Sequence, residues 1–259
     1  MGRIIVTANQ KGGVGKTTTA INLSACLAKC GRKVLAVDTD PQGNMTSGLG
    51  VNKHTIESSV YQMMLGESDF FSTVVRNVYE GVDLIPSSVD LAAVEIELNY
   101  EENKEFILRD LLRPVADLYD YVIVDCPPSL NLLTLNALTA ADSVMVPIQC
   151  EYYALEGLSQ LIHTITLVKE RLNPGLSIDG IVFTMYDGRT NLSQQVVENV
   201  KENLTQHIYD TLITRNIRLA EAPSYGMPIC EYDPSSSGAA NYMKLAQEVI
   251  QKTEEESWQ

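Results

Sequence analysis

Short runs rich in Val and Ile alternate along the chain with longer stretches in which apolar side chains recur at helical spacing. A chain that alternates in this way folds as α/β, a mostly parallel twisted sheet with helices on both faces. Strands are predicted at residues 3–8, 33–38, 82–86, 121–125, 143–148, 178–185 and 209–213. Most of these runs are continuously apolar, as strands buried on both faces must be. Helices are predicted at 16–30, 91–112, 131–140, 155–172, 193–207 and 239–252. Gly31 follows the first as a C-cap and Pro174 follows the fourth at the distance where proline ends a helix. With no repeat and no linker-like stretch, residues 1–259 read as one domain, and the closing TEEESWQ is expected to fray.

Composition narrows the picture. Apolar residues make up 45% and charged residues 20% of 259 residues, which excludes disordered and fibrous chains. Lys and Arg number 19 against 33 Asp and Glu, a net charge of −14, so a protein coated all over by nucleic acid is excluded and only a local basic patch remains open. No run of about 18 apolar residues exists to span a membrane. The opening MGRIIVTANQ enters an apolar run without the plan of a signal peptide. Five cysteines without metal-ligand spacing read as reduced thiols, and Cys26 with Cys30 as small buried side chains. A cytoplasmic protein is expected.

The densest chemistry is KGGVGKTTTA, residues 11–20, between the first strand and the first helix. Backbone N–H groups of Gly12, Gly13, Val14 and Gly15, and of Thr18 beyond them, are placed there to cradle phosphates at a helix N-terminus. Lys16 supplies a positive charge to the β- and γ-phosphates, and the Thr17 hydroxyl is a ligand for Mg²⁺. Asp38 and Asp40 follow the second strand at its carboxyl end, where open α/β sheets bind ligands. An aspartate there holds Mg²⁺ through water or orients an attacking water. Asp125 closes the apolar run YVIVD, as a carboxylate reaching Mg²⁺ does, and Pro127 and Pro128 then stiffen the exit.

KGGVGKTT departs from the common phosphate-loop pattern, with Gln10 where the first glycine stands and a lysine at 11. It resembles the deviant Walker A of the ParA/MinD branch of P-loop ATPases. VLAVDTDPQGNMTSGLG, VIVDCPPSL, TMYDGRTNLS and ITRNIRLAEAPSYG resemble the small chromosomal ParA, or Soj, type over nearly the whole chain. The resemblance implies an ATPase using ATP and Mg²⁺, with Asp40 required for hydrolysis and Asp38 near the metal. It also implies that Lys11 crosses to the partner's nucleotide in an ATP-bound homodimer. Asn216, and Thr214 where relatives often have proline, are implied at the base.

By the same resemblance, the ATP-bound dimer binds DNA without sequence preference through Arg189 and Arg218, with Lys201, Arg215, Lys244 and Lys252 as weaker candidates. A ParB/Spo0J-type centromere-binding protein is the implied stimulating partner, and the nucleoid the implied location. The alternative is a MinD-like or scaffold-type regulatory ATPase that does not bind DNA. For the MinD form, the carboxylates of KLAQEVIQKTEEESWQ suit an anionic membrane poorly, so no membrane partner is expected.

Overall fold

A computed structural model describes residues 2–151 and 154–257. Seven strands form one sheet: β1 (Arg3–Thr7), β2 (Val34–Asp38), β3 (Val75–Tyr79), β4 (Val82–Ile85), β5 (Tyr121–Asp125), β6 (Ser143–Gln149) and β7 (Ser177–Thr184). Their order is β3-β4-β2-β5-β1-β6-β7, and every neighbouring pair is parallel except β3 with β4. The longer helices are α1 (Lys16–Lys29), α2 (Ile107–Ala116), α3 (Leu132–Ala140), α4 (Ala154–Arg171), α5 (Asn191–Asn203) and α6 (Ser237–Ser257).

Successive side chains of a strand face opposite sides, and the core divides accordingly. Ile4, Val6, Leu35, Val37, Val122 and Val124 join one apolar cluster with α2, α3 and α4. Ile5, Val34, Ala36 and Ile123 join the other, built on α1 and α6. Both faces are therefore sealed, which accounts for the unbroken apolar runs.

The expected strand at 209–213 is not one. Tyr209 N–H donates to the Ile181 carbonyl and Ile213 N–H to that of Phe183. Two steps along β7 thus face four along the neighbouring segment, and the surplus residues prevent a continuous ladder. Asp210 N–H and the Thr211 hydroxyl turn instead to the Glu248 carboxylate on α6.

The single helix expected at 91–112 is broken. Asn103 takes a positive φ of 59°, and α2 starts only at Ile107. Buried Asn136 of α3 supports that start, accepting from Leu108 N–H at 3.0 Å and donating to the Lys104 carbonyl at 2.8 Å. The edge strand β3 went unpredicted because its alternation is interrupted by exposed Arg76 and Asn77. The frayed tail is also corrected: α6 stays helical to Ser257, with Glu254 paired to Arg32 and Glu256 to Arg3, while Trp258 and Gln259 lie outside the described residues.

Candidate nucleotide site

Register places the acidic groups. Thr7, Asp125 and Asp38 are Cα partners across β1, β5 and β2, at the carboxyl ends of three adjacent strands. The loop after β1 lies over the same edge. Gly13 and Gly15 have φ of 75° and 87°, a conformation that side-chain-bearing residues rarely adopt, so the two glycines make the turn possible. The Thr184 hydroxyl braces the loop through the Val14 carbonyl at 2.8 Å, and Asn9 holds it through Lys11 N–H at 3.0 Å and the Pro147 carbonyl at 2.8 Å.

Lys16 is buried, its ammonium donating to the Lys11 carbonyl at 3.1 Å. Burial lowers its pKa, opposed by Asp125, Cys126 and Asp40. Lys11 is half exposed and paired with Glu151 just beyond β6. A cleft of about 350 Å³ is lined by Gly12, Gly13, Lys16, Thr17, Asp40 and Pro128, among others.

The three aspartates differ in what they have free. Asp38 is wholly buried, its Oδ2 accepting from Thr46 N–H at 2.8 Å and the Thr46 hydroxyl at 2.7 Å, its Oδ1 from Asp40 N–H at 3.1 Å. Burial pushes its pKa up to about 6, against the pull of the Thr46 bonds. Asp40 accepts from Gln42 N–H at 2.9 Å. Asp125 is also wholly buried; its Oδ1 accepts from the Thr7 hydroxyl at 3.3 Å, and its Oδ2 has no partner. Burial, then the neighbouring Asp38, pushes it up to about 8, while Thr17 and Lys16 pull it down.

An orphaned buried carboxylate oxygen is costly unless a cation completes it. Among the described residues no three His, Cys, Asp or Glu side chains form a metal cage. Mg²⁺ keeps several waters and is held by one or two protein oxygens plus substrate phosphates. Asp125 and Thr17 fit such an ion. Asp38, with both oxygens engaged inside the chain, serves first to hold the turn that carries Asp40.

A second cleft of about 360 Å³ adjoins the first through Gly15, Thr18 and Met185, and is lined by Thr214, Asn216, Ile217, Leu219 and Tyr242. Its walls are mostly apolar, as a base requires. Thr214 Oγ donates to Asn241 at 2.9 Å, and Asn216 bonds Ser237 at 2.9 Å and caps Arg218 N–H at 2.8 Å. Both side chains are thereby tied to the start of α6 or to the chain's own turn. Sequence reasoning missed Met185, Thr184, Thr46 and Glu151; of these only Met185, at φ 52°, is marked locally, and by its backbone rather than its residue type.

Of the expected DNA contacts, neither Arg189 nor Arg218 lines this cleft, though Arg218 stands between cleft-lining Ile217 and Leu219, and Arg215 lines it. Arg189 is 89% exposed and forks onto Asp187 at 2.7 and 2.9 Å. Arg218 is half exposed and pairs with Glu221 at 2.9 Å. Lys201, Arg215 and Lys244 are exposed. Lys252 is 19% exposed and held between Asp179 and Glu256, a structural ion pair that leaves it less open than the others.

A family model described as "AAA domain" matches residues 2–178. The sporulation initiation inhibitor protein Soj of Bacillus subtilis is 54% identical over 249 residues, covering 96% of this chain and 98% of the relative. The chromosome partitioning protein ParA of Myxococcus xanthus is 51% identical, covering 97% and 89%. A crystal structure described as cobyrinic acid a,c-diamide synthase from Mycobacterium smegmatis, with bound ADP and magnesium, superposes with a TM-score of 0.87 at 37% identity, covering 98% and 96%. A buried aspartate with an open oxygen, a glycine-built phosphate loop and full-length similarity at about half identity lead to one assignment: the chain belongs to the ParA/Soj family of P-loop chromosome-partitioning ATPases.

Proposed function

We propose that the chain is an ATP-driven partition switch. It binds Mg-ATP and dimerises; the dimer holds DNA without sequence preference on the nucleoid, and ATP is hydrolysed to ADP and phosphate when a ParB/Spo0J-type protein stimulates it. The observation that carries the catalytic half is the unpartnered Asp125 Oδ2, buried near Lys16 and Thr17, which line the cleft.

Lys16 and the N–H groups of the glycine loop hold the phosphates; Asp125 and Thr17 hold Mg²⁺, which when bound offsets charge on the phosphoryl oxygens. Asp40 orients a water whose oxygen attacks the γ-phosphorus as the bond to the β–γ bridging oxygen breaks, one water proton staying on that oxygen and the other passing to a phosphate oxygen or to solvent. Such reactions depend on positioning and charge more than on a strong base. Lys11, held here by Glu151, would exchange that carboxylate for the phosphates of a partner's ATP on dimerisation.

Exposure of Arg189 and Arg218 supports DNA contact, in which phosphates take the place of Asp187 and Glu221. These same intrachain pairs, with the charge of −14, favour a second reading, a scaffold ATPase without DNA. The MinD-like form has less support. Tyr242, Leu245, Ala246 and Val249 of α6 are buried in the core, so the apolar face of that helix is taken up by the sheet, and no described helix is long and apolar enough to cross a membrane.

Sedimentation with duplex DNA in ATP, in ADP and without nucleotide tests the proposal. Binding is expected only with ATP, and is expected to weaken with salt by a log–log slope of about −0.9 per phosphate contact. Changing Arg189 and Arg218 together to Glu should abolish it while leaving the ATP-dependent dimer. Hydrolysis without DNA binding in any nucleotide state would establish the scaffold reading instead.

A further inference from the structure

Asp40 is held by a closed circuit of hydrogen bonds that the phosphate cleft does not itself contain. Asp38 Oδ1 accepts from Asp40 N–H, and Asp38 Oδ2 accepts from the Thr46 hydroxyl at 2.7 Å. Thr46 Oγ in turn accepts from Ser87 N–H at 2.9 Å, and the Ser87 hydroxyl donates to the Asp40 carbonyl at 2.7 Å. The circuit returns to the residue where it began. Asp38, Thr46 and Ser87 are each 0% exposed, so water does not compete for these bonds.

Both backbone groups of Asp40 are anchored by this circuit, the N–H by Asp38 and the carbonyl by Ser87, with Gly43 N–H also on the carbonyl at 2.8 Å. Its carboxylate, by contrast, has only the Gln42 N–H bond at 2.9 Å and lines the cleft. Ser87 lies just beyond β4, two strands from β5, so the circuit fastens the Asp40 turn to the rigid sheet on its outer side. A backbone fixed while the side chain remains available is the arrangement that orients a water without spending the carboxylate on structure.

We infer that Thr46 and Ser87 are positioning residues for ATP hydrolysis, acting through the backbone of Asp40 and not on the nucleotide. This rests on the reading of Asp40 as the water-orienting group. Binding of ATP, carried by the loop after β1, should not depend on them; turnover should.

The test measures single-turnover hydrolysis and the Kd for ATP in Ser87→Ala, Thr46→Val, Thr46→Ser and Asp40→Ala. Ser87→Ala removes one bond and leaves Ser87 N–H on Thr46; hydrolysis should slow about fivefold, the rate equivalent of one net hydrogen bond, at unchanged Kd. Thr46→Val removes a donor and an acceptor and should slow it by about tenfold or more, and Thr46→Ser should restore it. Wild-type hydrolysis in Ser87→Ala, or a loss confined to ATP affinity, overturns the inference. Should Thr46→Val fail to fold, Ser87→Ala decides alone. If Asp40→Ala hydrolyses normally, the reading of Asp40 has failed; if Asp40→Ala is inactive and Ser87→Ala normal, only the positioning role has.

Discussion

Two acidic sites lie in the interior of the sheet, and they have opposite electrostatics. Toward the amino end of β7, Asp179 is 1% exposed and fully partnered: Arg3 at 2.7 Å, Ser143 at 3.2 Å, Lys252 at 3.3 Å and the Tyr209 hydroxyl. Glu256 extends the network to both cations. At the carboxyl end, Asp125 is as deeply buried, yet one oxygen has no partner and its neighbours include two further aspartates. The first site joins β1, β6, β7 and α6 into one body. The second is completed only by what binds there, and proteins keep such uncompensated groups where binding or chemistry takes place.

The sharpest way to break this comparison is Asp179→Ala. It leaves Arg3 and Lys252 with Glu256 alone and the buried Tyr209 hydroxyl without its acceptor, and should destabilise the fold by about 3 kcal/mol, read as a fall in the urea midpoint. ATP affinity of the folded fraction should be unchanged, since the network is remote from the cleft. Substitution at the other site should do the reverse: Lys16→Ala removes the cation proposed to meet the phosphates and should weaken ATP binding by on the order of 10²-fold, equivalent to about 3 kcal/mol for a bond to a charged group. Its folding stability should hold or rise, because the buried ammonium costs desolvation. Titration calorimetry and thermal unfolding separate the two.

The most diagnostic effect is on pH dependence. Burial, and then repulsion from neighbouring aspartates, raises the carboxyls of Asp125 and Asp38 well above the ordinary aspartate range in the folded chain. Unfolded, an aspartate titrates near 3.9. The native state therefore retains protons that the unfolded chain releases, and stability without nucleotide should fall as pH rises above about 4. Asp125→Asn should flatten that slope and raise stability at pH 8 while abolishing hydrolysis; an unchanged slope would show that Asp125 does not titrate in this window. Mg-ATP should flatten it in the wild-type protein.

The parts of this molecule that could be read locally were those where one segment carries its own reason. Residues 11–18 spell out a phosphate loop because positive φ at Gly13 and Gly15, and a lysine followed by threonine at a helix start, are local requirements. The apolar runs of β1, β2 and β5 announced a sheet buried on both sides, and Asp38 and Asp125 at their ends were visible as candidates. The interrupted helix before α2 was not visible, because Asn136, a residue of α3, supports its start. Nor was the failed strand at 209–213, where the residues between the two β7 bonds outnumber those of β7 and Asp210 and Thr211 are held by Glu248 of α6.

By itself, then, the sequence determined the fold class, the phosphate loop and the family, since these follow from periodicity, glycine geometry and residue order within short windows. Only the tertiary structure decided that Asp125 keeps an open oxygen while Asp38 does not, that Lys252 is a structural cation, and that Thr46 and Ser87 hold Asp40 in place. Residues 38, 46, 87 and 125 are far apart along the chain, and whether a carboxylate is satisfied depends on which donors the strand order brings beside it. Arg189 and Lys252 have similar charge in the sequence, yet one reaches solvent and the other is enclosed by Asp179 and Glu256. Burial, and with it the energy of every charge, is a property of the packed sheet and not of the residue.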